Sequence, residues 1–247
     1  MAVVNPGDAL LGAPGPHGVR TLTLNRPDKA NALGESLVLR LHELLDEVGA
    51  ETRVLVLTGA GRHFCGGFDF AGYEQQSEGE LLMRFVQINE LLARLRRAPY
   101  ATLAWVNGAA FGAGADIACA CAFRCGTPQA RFRFPGFQFG VALGTRRLAQ
   151  VIGAQRAREV LSRNEELDAK RALESGLLDQ VTDEPSFVSL PAELARLTGG
   201  LDAVALPALL RITDPADHDA DLADLVRSVA RPGLHARVAR YRQAGRA

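Results

Sequence analysis

The sequence predicts an α/β fold made of repeated strand–turn–helix units and followed by a helical C-terminal region. Three observations support this. Short β-branched or leucine-rich runs alternate with amphipathic helical segments, glycine clusters sit at the ends of the strands, and strand-like patterning stops near residue 185.

After a Pro/Gly-rich leader, residues 19–24 (VRTLTL) alternate apolar and polar side chains as a half-buried strand does. They stop at the turn-rich Asn25-Arg26-Pro27-Asp28. Leu37, Leu41, Leu44, Leu45 and Val48 then recur at helical spacing. Residues 53–58 (RVLVLT) read as a central strand that opens into a glycine-dense loop over residues 59–69. A second helix carries Leu81, Leu82, Phe85, Ile88, Leu92 and Leu95 on one side and ends before Pro99. Residues 101–106 (ATLAWV) read as another buried strand delivering the chain into a second glycine turn, and the small apolar residues from Asp116 to about Cys121 suit a buried helix. Beyond Gly140 the pattern is mainly helical, over 154–161 and 167–174, with Gly176 placed as a helix stop.

The 247 residues carry 28 basic and 28 acidic side chains and are 47% hydrophobic, which suits one large core and excludes a general polyanion binder. Neither nucleic acid nor a membrane is an expected partner. No apolar run approaches membrane-spanning length, and the first 18 residues lack a basic and then continuously apolar leader, so the expected compartment is the cytoplasm. Cys119, Cys121 and Cys125 fall within seven positions, but no zinc-type C-x2-C pair exists and the surroundings are apolar. Together with Cys65 they read as buried thiols, and no metal site is expected.

Glycine between a buried strand and a helix lets backbone N–H groups approach a ligand closely. Two such turns occur, at Gly66-Gly67-Phe68 and Gly112-Ala113-Gly114. Neither completes a dinucleotide fingerprint and no phosphate-binding G-x4-G-K-[ST] is present, so nucleotide binding is disfavoured. Convergent N–H donors also serve as an oxyanion hole, where two amides bind charge developing on a carbonyl oxygen. Tight connections with no ligand are the other use of such glycines.

Residues 20–33 (RTLTLNRPDKANAL), 53–69 (RVLVLTGAGRHFCGGFD), 105–116 (WVNGAAFGAGAD) and 167–181 (LDAKRALESGLLDQV) together resemble, in order, signature segments of the crotonase superfamily, the enoyl-CoA hydratase and isomerase family. The resemblance implies a superhelix of repeated ββα units with a C-terminal helical trimerisation region. Residues 1–185 would form the α/β core with the acyl-CoA site. Residues 186–247 would form the helical region that assembles a homotrimer or hexamer and closes the CoA site. It implies an acyl-CoA thioester as substrate and no cofactor beyond the coenzyme A that carries the acyl group. The N–H groups of Phe68 and Ala113 match the oxyanion donors, and Ala113, just before a helix, would gain from its dipole. Lys29 and Ala30, then Gly66, Phe68, Asp69 and Phe70, match the stretches that wrap the coenzyme. Arg237 and Arg240 read as a solvated helical face.

Hydratases of this family resemble two-carboxylate catalysts. The first acid falls on Asp116, an Asp where those enzymes usually carry Glu, and a helix cap or buried paired acid is the other reading of that residue. The second falls on Gly136, which has no side chain, and the segment 140–148 resembles the family's next segment with about three residues missing. Gln138 could hold a water, and the loop with Tyr73, Glu74, Glu78 and Glu80 could supply a replacement acid. Three functions follow. The chain is an acyl-CoA enzyme of the enoyl-CoA hydratase/isomerase type with Asp116 as the single acid/base. Alternatively it runs another enolate-forming reaction, decarboxylation or thioester hydrolysis, with Gly136 making room for a different acyl group. The third possibility is a non-catalytic acyl-CoA-binding protein.

Overall fold

A computed structural model describes residues 9–183 and 186–244. The first strand, β1 (Leu10–Pro14), lies in the stretch read as a leader and pairs antiparallel with β2 (Val19–Leu24), Leu10 opposite Leu24. Its glycines and prolines mask the strand in the sequence, because an edge strand tolerates Pro. Helix α1 (Glu35–Asp46) buries Leu37, Val38, Leu41, Leu44 and Leu45, the stripe its spacing predicts. Next come β3 (Val54–Gly59), a three-residue β4 (His63–Cys65) inside the first glycine loop, and α2 (Glu78–Arg96). A capping box starts α2: Glu80 N–H donates to the Ser77 hydroxyl while Ser77 N–H donates to the Glu80 carboxylate.

The unit then repeats as β5 (Ala101–Val106), β6 (Ala109–Phe111) and α3 (Ala113–Ala120), and again as β7 (Phe123–Gly126) and β8 (Arg131–Arg133) before α4 (Thr145–Ile152) and α5 (Ala154–Arg163). A short β9 (Leu167–Asp168) takes the first two residues of the segment expected to be helical. Asp168 then caps α6 (Ala169–Glu174), and β10 (Gln180–Val181) closes the core. The long strands form one sheet in the order β1-β2-β3-β5-β7-β10, and the short ones a second in the order β4-β6-β8-β9. The units β3-β4, β5-β6 and β7-β8 each give one strand to each sheet, whereas β1 and β2 both lie in the first. The chain crosses between sheets at residues 60–62 and 107–108, and the two glycine turns follow β4 and β6, at the strand ends where ligands bind in α/β folds.

Four helices follow: α7 (Ser186–Thr198), α8 (Ala205–Ile212), α9 (His218–Val229) and α10 (Leu234–Ala244). The boundary expected near residue 185 falls at residues 184–185, outside the described residues. Strands β3 and β5 are buried along their whole length. One face packs into the main core, and on the other Val54, Val56, Leu103 and Trp105 meet Ala195, Leu190 and Leu194 of α7. Arg53 fastens this helix by donating to the carbonyls of Thr198 and Leu201. Arg237 of α10, expected on a solvated face, instead donates to the carbonyls of Phe139, Gly140, Ser228, Val229 and Arg231. It clamps the last helix over the segment that follows Gly136, and only Arg240 is exposed.

Candidate active site

The two glycine turns meet in one corner of the fold. Leu33 forms a parallel bridge with Phe68, in which Leu33 N–H donates to Gly67 O at 2.7 Å and Asp69 N–H donates to Leu33 O at 3.2 Å. That pairing engages the neighbours of Phe68 and turns its own N–H to the opposite side. Gly67 has φ +91°, and a Cβ there would lie 2.5 Å from Phe111 O and 3.2 Å from Ala113 N. Only glycine at 67 lets this turn pack so closely on the start of α3. Ala113 is the first residue of α3, after a Gly112 at φ 51° and ψ −125°. Its N–H is one of the first four of a helix, which lack partners within the helix. A Cβ on Gly114 would lie 2.3 Å from Cys65 O, so a third glycine seats the helix against β4.

The two turns border a cavity of about 820 Å³, including its mouth, lined by Phe68 and Ala113 and walled by Phe70, Phe85, Phe134, Phe139 and Leu143. Phe68 stacks on Phe85 with ring centroids 4.4 Å apart, and the Arg84 guanidinium covers it at 4.2 Å, which fixes the turn that carries the first amide. Asp116, one turn into α3, is the only carboxylate among the described residues that line the cavity. It is 6% exposed, and its carboxylate has no hydrogen-bond partner among the described residues. Burial pushes its carboxyl up to about 7, while the charge of Arg147 pulls it back down. It is neither a helix cap nor an acid in a direct ion pair. A Cβ on Gly144 would lie 1.9 Å from its Oδ1, so the start of α4 makes space for this carboxylate by lacking a side chain.

The second acid's place is filled. A Cβ on Gly136 would lie 2.6 Å from the carbonyl oxygen of Val141, whose N–H donates back to Gly136 O at 2.9 Å. The expectation that Gly136 makes room for an acyl group is therefore corrected: the Val141 backbone lies where a side chain at 136 would begin. The replacement acids are also occupied elsewhere. Glu80 serves the capping box, Glu74 pairs with Arg242 at 3.4 Å, and Glu78 accepts from His235 N–H at 3.3 Å. Tyr73 is buried outside the cavity lining, and Gln138 is exposed and also outside it.

On the coenzyme side, Lys29 is exposed, with no carboxylate partner among the described residues. Ala30 is left-handed at φ 50°, and its carbonyl accepts from Gly66 N–H at 2.7 Å, which ties the two predicted stretches together. Between them, Asn31 is wholly buried, accepting from Arg26 N–H and donating to the carbonyls of Ala60 and His63. The Asp69 side chain is engaged within the protein. Its carboxylate pairs with Arg26 at 3.0 Å and accepts from Ala71 N–H, and its carbonyl accepts from Arg84. Phe70 lines the cavity beside Phe68, 5.0 Å between ring centroids. All four cysteines are free and buried, with burial pushing the thiols of Cys65, Cys119 and Cys121 up to about 12.

The profile of the family described as enoyl-CoA hydratase/isomerase matches residues 15–198. The chain belongs to that family. Among solved structures, an enoyl-CoA hydratase/isomerase from Bordetella parapertussis superposes with a TM-score of 0.91 at 41% identity, covering 94% of this chain and 98% of that one. An enoyl-CoA hydratase from Bacillus anthracis superposes at 0.79 with 26% identity, covering 90% and 89%. Among relatives, the enoyl-CoA isomerase/hydratase of Mycosarcoma maydis is 32% identical over 193 residues, 72% of this chain and 70% of that protein. The ethylmalonyl-CoA decarboxylase of Mus musculus is 36% identical over 188 residues, 73% of this chain and 58% of that protein. The fold is the crotonase fold of this family.

Four parts of the site escape motif reading. Arg133 and Tyr241 line the cavity from β8 and α10, Gly144 abuts Asp116, and buried Arg147 sets part of the field on it. The sequence signal for Arg133 is a cation alternating with Phe132 and Phe134 along a strand, where a charge facing a cavity stands out. The Arg147 signal is weaker, since Arg146-Arg147 reads as an ordinary basic helix face.

Proposed function

We propose that this enzyme forms the enolate of an acyl-CoA thioester and moves a proton with Asp116 as its single acid/base, as in double-bond isomerisation. The observation that carries the reading is the Val141 carbonyl standing where a second acid would begin. Two-acid addition of water needs that acid. A one-acid proton shift does not. The N–H groups of Phe68 and Ala113 would donate to the thioester oxygen. Ionised Asp116 would take the proton from C2 of a 3-enoyl chain, the electron pair would pass to the thioester oxygen as the double bond moves, and the same carboxyl would return the proton at C4. Oriented amides in a cavity walled by phenylalanines bind such charge far better than water does.

Lys29, Ala30, Gly66, Phe68 and Phe70 would line the coenzyme's path, with Asp69 holding the loop through Arg26 rather than touching the ligand. Assembly as a homotrimer or hexamer through the C-terminal helices is supported by exposed Leu197, Val204, Leu209 and Ile212. A cytoplasmic setting fits four unpaired thiols.

Decarboxylation is the second reading. A carboxyl with its pKa at about 7 is partly protonated at neutral pH, and the mouse relative is named for that reaction. The bond from Cα to the carboxylate would break, CO2 would leave, and Asp116 would protonate the enolate at Cα. The test is turnover of 3-enoyl-, 2-enoyl- and malonyl-type CoA thioesters by the wild type and Asp116→Asn. Isomerisation lost in the variant supports the first reading. Efficient hydration that survives in Asp116→Asn overturns both.

A further inference from the structure

Arg133 brings a positive charge to a cavity that has no protein anion to meet it. Its Nε donates to Asn164 Oδ1 at 3.3 Å, and no carboxylate among the described residues pairs with it. The other arginines nearby are engaged: Arg147 by Asp221 at 3.1 Å, Arg242 by Glu74 and Arg237 by backbone carbonyls. The single carboxylate among the described residues lining the cavity, Asp116, feels Arg147 and not Arg133. The charge of Arg133 is felt instead at the Tyr241 hydroxyl, whose pKa burial raises and Arg133 lowers, so guanidinium and phenol lie together on the wall. Arg133 is half-buried on the cavity wall with no carboxylate partner among the described residues, which leaves its guanidinium available to an anion on a ligand.

The position of Arg133 says which anion. Arg133 pairs with Phe111 in the β6–β8 ladder, and its carbonyl accepts from Gly112 N–H at 2.8 Å, one residue before the Ala113 amide. From bond lengths, an arginine side chain reaches about 7 Å and a pantetheine arm spans about 15 Å from sulfur to pyrophosphate. The guanidinium therefore lies within acyl-chain distance of the thioester seat and short of the coenzyme phosphates.

We propose that the acyl group handled by this cavity carries a second carboxylate, received by the Arg133 guanidinium as a forked donor with the Tyr241 hydroxyl beside it. The substrate class is a dicarboxylic acid monothioester. The inference rests on the acyl-thioester reading above.

Calorimetry tests it with unreactive thioethers, S-(carboxyalkyl)-CoA against S-alkyl-CoA of equal length over a short chain series, and with the same pairs on phosphate-free N-acetylcysteamine. The expected result is a preference of about 10- to 100-fold for the carboxylate at one chain length. It should persist without the phosphates and vanish in Arg133→Gln. Arg133→Lys, which keeps the charge without the fork, should retain part of it. No preference at any length overturns the proposal. So does an Arg133→Gln variant that weakens both CoA probes equally and leaves the phosphate-free pairs unchanged, because the guanidinium then serves a phosphate. α-Proton exchange of butyryl-CoA in heavy water separates the two levels. Exchange without a carboxylate preference sinks only this inference, while absence of both exchange and binding sinks the enolate reading beneath it.

Discussion

The carbonyl oxygen of Val141 lies 2.6 Å from where a Cβ on Gly136 would stand. That contact closes with backbone the place where the resemblance puts a second acid. Losing the acid alone would leave a hole that a mutation could refill. In this chain backbone lies across that space, and Val141 N–H locks the closure by donating to Gly136 O.

Gly136→Glu should therefore fail to create a hydratase. A side chain there must displace backbone, an overpacking cost of about 1–3 kcal/mol, equivalent to a fall in Tm of about 2–12 °C for a protein of this size. Thermal melting and crotonyl-CoA hydration measure the two halves. A stable variant that gains hydration would show that the loop moves aside easily.

Ala113→Pro isolates the proposed oxyanion donor. Position 113 opens α3, where proline is best tolerated because its missing N–H has no partner within the helix. The fold should survive, while enolate formation falls about 100- to 1,000-fold from loss of one donor. Circular dichroism and α-proton exchange give the two readouts. Unchanged exchange in a folded variant would remove Ala113 from the site.

Much of this was legible in the sequence where the signal is periodic. Strand β5 falls on Ala101–Val106 as read, and α1 buries the predicted stripe. Strands β4 and β6 were hidden because three residues have no measurable period and both lie inside glycine-rich stretches. Asp116 is reached through the resemblance of residues 105–116 to a family signature segment. The filled space at Gly136 could not be, because it depends on where Val141 comes to rest and not on which residue occupies 136. Arg237 misled for a related reason. Arginine on a polar helix face reads as solvated until carbonyls from three other segments are seen to converge on it.

Lys29→Ala should weaken acyl-CoA binding by about two- to tenfold, with the loss shrinking as salt rises, because an exposed ammonium meeting a phosphate is a screened interaction. Phosphate-free thioesters should bind wild type and variant alike. Equal weakening of both probes would place Lys29 in the loop's stability and not on the coenzyme.

Asp116 links activity and stability to pH with opposite signs. Its carboxyl rises from 3.8 to about 7 on folding, so the native state holds the proton more tightly than the unfolded chain. Its contribution to stability is therefore complete below about pH 4, declines as pH rises and levels off above about 7. Asp116→Asn should abolish that decline in denaturant titrations. α-Proton exchange needs the ionised base and should rise with pH through about 7 in the wild type, falling about 100- to 10,000-fold in the Asn variant. Arg147 opposes the burial effect, so removing its charge should move the rising limb above 7. Removing it alone would leave buried Asp221 with Arg146 as its one remaining cation, whereas Arg147→Gln with Asp221→Asn removes the buried pair together. A limb that stays near 7 in the folded double variant would show that the field on Asp116 comes from elsewhere.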